Sequence, residues 1–156
     1  ISQNLGASKY DRAKKGARFG IICGVAMAAV IGFLEYVFAE PLIGIFDKTP
    51  EVVELGARQT HIVALFCFLL AYSHSVAAVC RGAGRAIVPM LVMLAVWCVG
   101  RIIYIVTVMH YFHNITYIYW AYPLTWTVSS IIYFIYYMRS DWVHGFEKKS
   151  VRRQGA

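Results

Sequence analysis

The 156-residue chain is 60% hydrophobic and only 15% charged, with a mean hydropathy of +0.59. Soluble domains hold roughly 45–50% apolar and about 25% charged residues, so the solvent this surface is built for is a bilayer. The net charge of +7 comes from cations clustered beside apolar runs, which reads as membrane topology and lipid-headgroup contact and points to no nucleic-acid partner.

Residues 1–18 read as a polar loop carrying Lys9, Arg12, Lys14, Lys15 and Arg18, set directly against the uncharged stretch Phe19–Leu34. A bilayer core of about 30 Å takes about 20 apolar residues of helix. Four segments meet that requirement: residues 19–39, 59–80, 86–109 and 117–138, followed by a basic tail over 139–156. The expected fold class is therefore an all-α membrane protein with four transmembrane helices. Between the first two spans, "TPEVVELGAR" has Pro at a helix start and acids in the first turn, so the second helix is expected to begin outside the bilayer.

The cations set the orientation. The five before span one lie on the same side as Arg81 and Arg85 between spans two and three, and as Arg139, Lys148, Lys149, Arg152 and Arg153 after span four; the opposite side has Lys48 and Arg58 among four acids. The positive-inside rule predicts cytoplasmic termini in a cell membrane. The aromatic run "HYFHNITYIYW" (110–120) suits the opposite headgroup layer. In span one, Gly16, Gly20, Gly24, Ala28 and Gly32 recur every fourth residue, which predicts one small-residue face for close helix contact.

Ionisable groups inside a membrane are costly and mark candidate sites. Glu35 lies about 25 Å of helix beyond Arg18, near the outer end of span one. It reads either as a carboxylate reaching headgroup water or as a proton- or cation-linked cavity group. Arg101 lies in the outer part of span three, and reads either as a structural anchor that snorkels outward, pairs with Glu35 or caps carbonyls of a broken helix, or as a group lining a substrate or cation cavity. His74, in the polar stretch "YSHS", reads as a hydrogen-bonded packing residue or a proton carrier. His110 and His113 share a helical spacing but lack a further ligand for a metal site. Cys23, Cys67, Cys80 and Cys98 form no CxxC pair, no cofactor is expected, and the absence of a Ser/His/Asp constellation argues against an enzyme.

"QNLGASKYDR", "IGIFDKTPEVVELG", "CRGAGRAIVPM" and "WAYPLTW" occur in that order. The set resembles the C-terminal third of a multidrug and toxic compound extrusion (MATE) transporter, in which the "QNLGA" signature closes the eighth of twelve helices. The resemblance implies a fragment covering about the last four transmembrane helices of a twelve-helix, two-lobe transporter. Its partners would be the missing N-terminal spans of the same transporter and a drug or organic cation, exported in exchange for Na⁺ or H⁺. It also implies structural roles at the cytoplasmic side for Gln3, Asn4, Gly6, Ala7 and Arg12 and for Arg81, Gly82 and Gly84, with the glycines permitting tight turns. Residues 59–80 lack the carboxylate that many relatives carry in the corresponding helix. The alternatives are a free-standing four-helix membrane scaffold and a lipid-linked sugar flippase, which would need a more cationic cavity than Arg101 alone provides.

Overall fold

The computed structural model describes residues 1–112 and 114–142; His113 and the tail cations Lys148, Lys149, Arg152 and Arg153 lie outside the described residues. The described residues are helical nearly throughout. A short α1 (Ser2–Gly6) leads into α2 (Tyr10–Val37), then α3 (Ala39–Gly44), α4 (Pro50–Ala64) and α5 (Cys67–Gly82). A continuous helix α6 (Ile87–Tyr111) follows, then α7 (Ile115–Tyr119) and α8 (Ala121–Arg139).

Two helices, α2 and α6, are long and apolar enough to cross a membrane, and α4 with α5 makes a third if that pair, bent by 53°, is one span. Helix α8 has 19 residues, but its tyrosines, serines and threonines make it more polar. The packing is that of a membrane protein. Phe19 is 71% exposed and Ile102 63%, whereas Ala13, Ser73, Ala77 and Ser129 are fully buried. Small and hydroxyl-bearing residues predominate inside, beside a few large ones such as Leu5, Trp126 and Trp142, and most large apolar residues face out, as expected where lipid removes the hydrophobic drive between helices.

The ends differ from the sequence expectation in instructive ways. The basic run is not a loop: residues 10–18 form the first turns of α2, because Ala13 and Ala17 are buried against Leu5, Val79 and Ala83. The expected span at 59–80 is reached by a helix that starts at Pro50, with Pro in its first turn, and breaks at Leu65–Phe66. The helix expected over 86–109 widens to π geometry from Met93 to Gly100.

The four-residue glycine stripe does not form a single contact face. Each four-residue step overshoots a helical turn by about 40°, so the stripe winds round α2. Burial instead follows Ala13 and Ala17, then Gly32 and Ala39 farther on. Gly24 and Gly32 lie on that seam: a Cβ on Gly24 would sit 3.0 Å from Ser75 Oγ, and one on Gly32 would sit 2.6 Å from the Ala64 carbonyl oxygen and 3.2 Å from Cys67 Cβ. Gly16 and Gly20 have open space instead. The close approach is therefore within the chain, with α2 pressed against the break between α4 and α5.

Candidate functional site

The two loop signatures build matching turns at the basic end of the bundle. After α5, Gly84 takes φ 73°, with its amide donating to the Arg81 carbonyl (3.0 Å) and the Arg85 amide to the Cys80 carbonyl (2.9 Å). This is the Schellman arrangement that ends a helix on a left-handed residue. After α1, the Ser8 amide donates to the Leu5 carbonyl (3.1 Å) and the Lys9 amide to the Asn4 carbonyl (2.8 Å), with Ser8 at φ 55°. Gly84 thus takes the left-handed position of the second turn, whereas in the first Gly6 lies inside α1 and Ser8 takes that position. Gln3, Gly6, Ala7, Arg12 and Arg81 are exposed and Asn4 half-buried; the Ala7 amide bonds the Gln3 carbonyl, and Gly82 faces Ile1.

Arg85, just past the second signature, does more than those residues. Its Nη2 donates to the Asp141 carbonyl (2.7 Å), and Nη1 lies 3.4 Å from both Tyr136 Oη and Ser140 Oγ. It thereby ties the α5–α6 turn to the C-terminal end of α8, where a cation also suits the helix dipole.

Glu35 sits on the α2 seam beside the helix break. It borders a cavity of about 290 Å³ shared with Ala39, Gln59, Thr60, Val63 and Ala64. Cys67 Sγ, the first residue past the break, lies 3.7 Å from Glu35 Oε2. One residue on, Tyr36 packs its ring on His61 at 4.7 Å. The break is also braced from the other side, where Phe66 meets the edge of Trp120, the residue between α7 and α8.

Arg101 does not pair with Glu35. It stands at the end of the π segment of α6 and reaches α8, where Nη2 donates to Thr125 Oγ1 (2.7 Å). Thr125 in turn bonds the Ala121 and Tyr122 carbonyls. The guanidinium lies over the Tyr122 ring at 4.5 Å and the Trp97 ring at 5.9 Å, positions in which the ring faces stabilise a cation. Trp97 makes an edge contact with the ring of His74, 5.2 Å between centroids. Thus the fold joins two of the three candidates, His74 and Arg101, through Trp97, and leaves Glu35 at a separate place. His74 itself is exposed.

Beside His74, Ser73 is fully buried and its hydroxyl lies 3.1 Å from Ser129 Oγ and 2.9 Å from Ser130 Oγ. Ser130 Oγ donates to the Leu69 carbonyl (3.0 Å), and Tyr133 Oη donates to the Pro89 carbonyl (3.2 Å). The polar seam formed by Trp97, Tyr122, Thr125, Ser129, Ser130 and Tyr133 was not singled out from the sequence. A signal for the α8 part was present: Thr125, Ser129 and Tyr133 recur every fourth residue. For Trp97 there was none, because its role depends on the π segment bringing it between His74 and Arg101.

Comparison with known proteins adds what the geometry alone does not carry. The MatE family profile matches residues 1–107. The chain is 31% identical over 81 residues to the probable multidrug resistance protein NorM of Thermotoga maritima, covering 51% of this chain and 18% of that protein. It is 25% identical over 137 residues to the probable multidrug resistance protein YoeA of Bacillus subtilis, covering 87% of this chain and 30% of that protein. The chain thus spans less than a third of the length of either relative.

Proposed function

Since the chain belongs to the MatE family, we propose that it works within a secondary active exporter of drugs or other toxic compounds, organic cations among them, driven by entry of Na⁺ or H⁺. The match over residues 1–107 is the observation that carries this reading, and the names of the two relatives point the same way. The helices here form one part of such a machine, with both ends of the segment on the cytoplasmic side, where the basic residues cluster. In alternating access, bundles of helices rock about a site near the midplane, and helices interrupted within the membrane commonly line it.

The break between α4 and α5 is such an interruption, and Glu35 faces the cavity beside it. In this reading Glu35 receives the coupling cation, with Gln59 and Thr60 supplying neutral oxygens. Carboxylate, amide and hydroxyl oxygens are hard ligands, suited to Na⁺, and the carboxylate alone suffices for a proton. His74 and Arg101 belong to the substrate side. The turns at Ser8 and Gly84 hold the inner ends of α2, α5 and α6 together while the outer ends move.

The test is efflux from sealed vesicles that contain the full gene product, energised separately by a Na⁺ or an H⁺ gradient. Export that follows one gradient in the native protein, and loses its response in Glu35→Gln while the protein remains folded, is the expected outcome. Export with undiminished coupling in Glu35→Gln removes the assignment to Glu35. No export under either gradient removes the transporter reading.

A further inference from the structure

The basic run that opens α2 is helical, so its residues divide between faces. Lys14, Lys15 and Arg18 follow Asp11 by three, four and seven positions, the spacing that puts side chains next to one another on one face of a helix. Ala13 and Ala17, on the adjoining face, are buried in one cluster with Leu5 and Trp142. The charged face is thereby set beside the end of α8. Between them lies a groove of about 430 Å³, walled on the far side by Tyr137 and Trp142.

The cations of this groove are uncommitted. Lys14, Lys15 and Arg18 are exposed, and none has a carboxylate within ion-pair distance among the described residues, where the one ion pair is Arg58 with Glu54 at 3.2 Å. Asp11 and Asp141 share the groove, so its wall carries three cations against two acids and its balance is positive. The Tyr137 and Trp142 rings stack at 5.8 Å with 26° between their planes. Tyr and Trp of this kind gather at the headgroup level of a bilayer. From that level apolar surface runs straight on: Phe19 and Ile22 follow Arg18 on α2, Phe134 and Met138 flank Tyr137 on α8, and all four are exposed. Free cations that border exposed apolar surface suit a molecule with an anionic head and hydrocarbon tails. A soluble anion would leave the apolar part unused.

We propose that the groove between α2 and the end of α8 binds the headgroup of an anionic glycerophospholipid from the adjoining leaflet. Lys14, Lys15 and Arg18 give charge-assisted hydrogen bonds to its phosphate, and the acyl chains lie along the exposed sides of α2 and α8. Basic pockets between membrane helices receive such headgroups. An occupant braces α2 against α8 at this end of the bundle. Binding there requires neither the export nor the coupling assignment.

The experiment titrates the detergent-purified full gene product with dioleoylphosphatidylglycerol, and separately with the zwitterionic phosphatidylcholine and phosphatidylethanolamine, following the rise in Tm. Phosphatidylglycerol is expected to half-saturate the native protein at about one-fifth of the mole fraction that either zwitterionic lipid needs, the scale of one net cation beside an anionic headgroup. Lys14→Gln/Arg18→Gln turns the balance of the wall negative and is expected to abolish the preference. Lys9→Gln/Arg139→Gln removes the same charge from exposed positions outside the groove and is expected to keep it. Asp11→Asn is expected to widen the preference by about another fivefold, and it serves where the first double variant does not fold. Equal response to all three lipids, a preference that survives Lys14→Gln/Arg18→Gln, equal losses in the two double variants, or no change in Asp11→Asn overturns the proposal. Glycerol 1-phosphate is expected to leave Tm unmoved at the same concentration; a shift as large as the lipid's would make the ligand a soluble phosphate and remove the lipid assignment.

Discussion

Toward α2, helix α5 meets small residues and bare backbone. Ala13 and Ala17 pack in one cluster with Val79 and Ala83, Gly24 lies at Ser75, and Gly32 lies against Ala64 and Cys67 at the break. Toward α8, the same helix meets hydroxyls: Ser73 lies between Ser129 and Ser130, while Val76, Ala77 and Cys80 surround Tyr133. The first interface is held by shape, with no room for an added methyl group at its tightest point. The second is held by hydrogen bonds and continues through Trp97 into the Arg101 corner. The difference separates a fixed joint from a surface with chemistry to offer.

The most damaging test of that contrast is Gly32→Ala. Its Cβ would collide with a backbone oxygen, which cannot rotate away, so a cost at or above about 1–3 kcal/mol is expected, read as lost monodisperse protein and a lowered Tm. Gly24→Ala meets only the end of a serine side chain and should cost clearly less; equal losses at the two positions would show that the interface is not limited by the helix break. Next in size is Gly84→Ala, which forces a side chain into left-handed backbone at about 1–2 kcal/mol. Its counterpart Ser8→Gly should raise Tm slightly, since the strained position gains the residue that suits it.

On the polar side, Ser73→Ala is expected to cost about 0.6–1.7 kcal/mol, the range for hydrogen bonds between membrane helices. A cost as large as that of Gly32→Ala would mean that the hydroxyl seam is as rigid as the glycine joint. The smallest effect is expected outside both interfaces, in the α3–α4 turn. There the Thr49 amide, 2.8 Å from Asp47 Oδ1, together with the Thr49 hydroxyl, holds the Asp47 carboxyl below its ordinary 3.8. A depressed carboxyl stabilises the fold above its ordinary value, and that contribution fades as pH falls through the lowered one. Asp47→Ala should therefore lower Tm slightly at neutral pH, with the gap to the native protein closing in acid.

Much of the architecture could be read from residues in line. The apolar segments, the helix start at Pro50, the basic end of the bundle and the family signatures all follow from local composition and spacing. The glycine face was legible only in part, because a strict four-residue stripe looks like one face until the winding of a real helix distributes it between a partner and open space. Of the site candidates, Glu35, His74 and Arg101 stood out because ionisable groups are conspicuous among apolar neighbours. Trp97, Thr125 and Tyr122 did not, since aromatic and hydroxyl residues are common in such helices and acquire a role only from what they touch.

By itself the sequence determined that this chain lives in a membrane, that it is helical, and where along the chain its positive charge clusters, because those properties depend on hydropathy and charge summed along short stretches. Tertiary structure decided where the second helix breaks, that Ser8 rather than Gly6 makes the first turn, that Arg101 answers Thr125 and two aromatic rings rather than Glu35, and that His74 joins it through Trp97. Those outcomes depend on distances between residues far apart in the chain, set by the closest approach α2 can make to α4 and α5 and by the widened turn of α6.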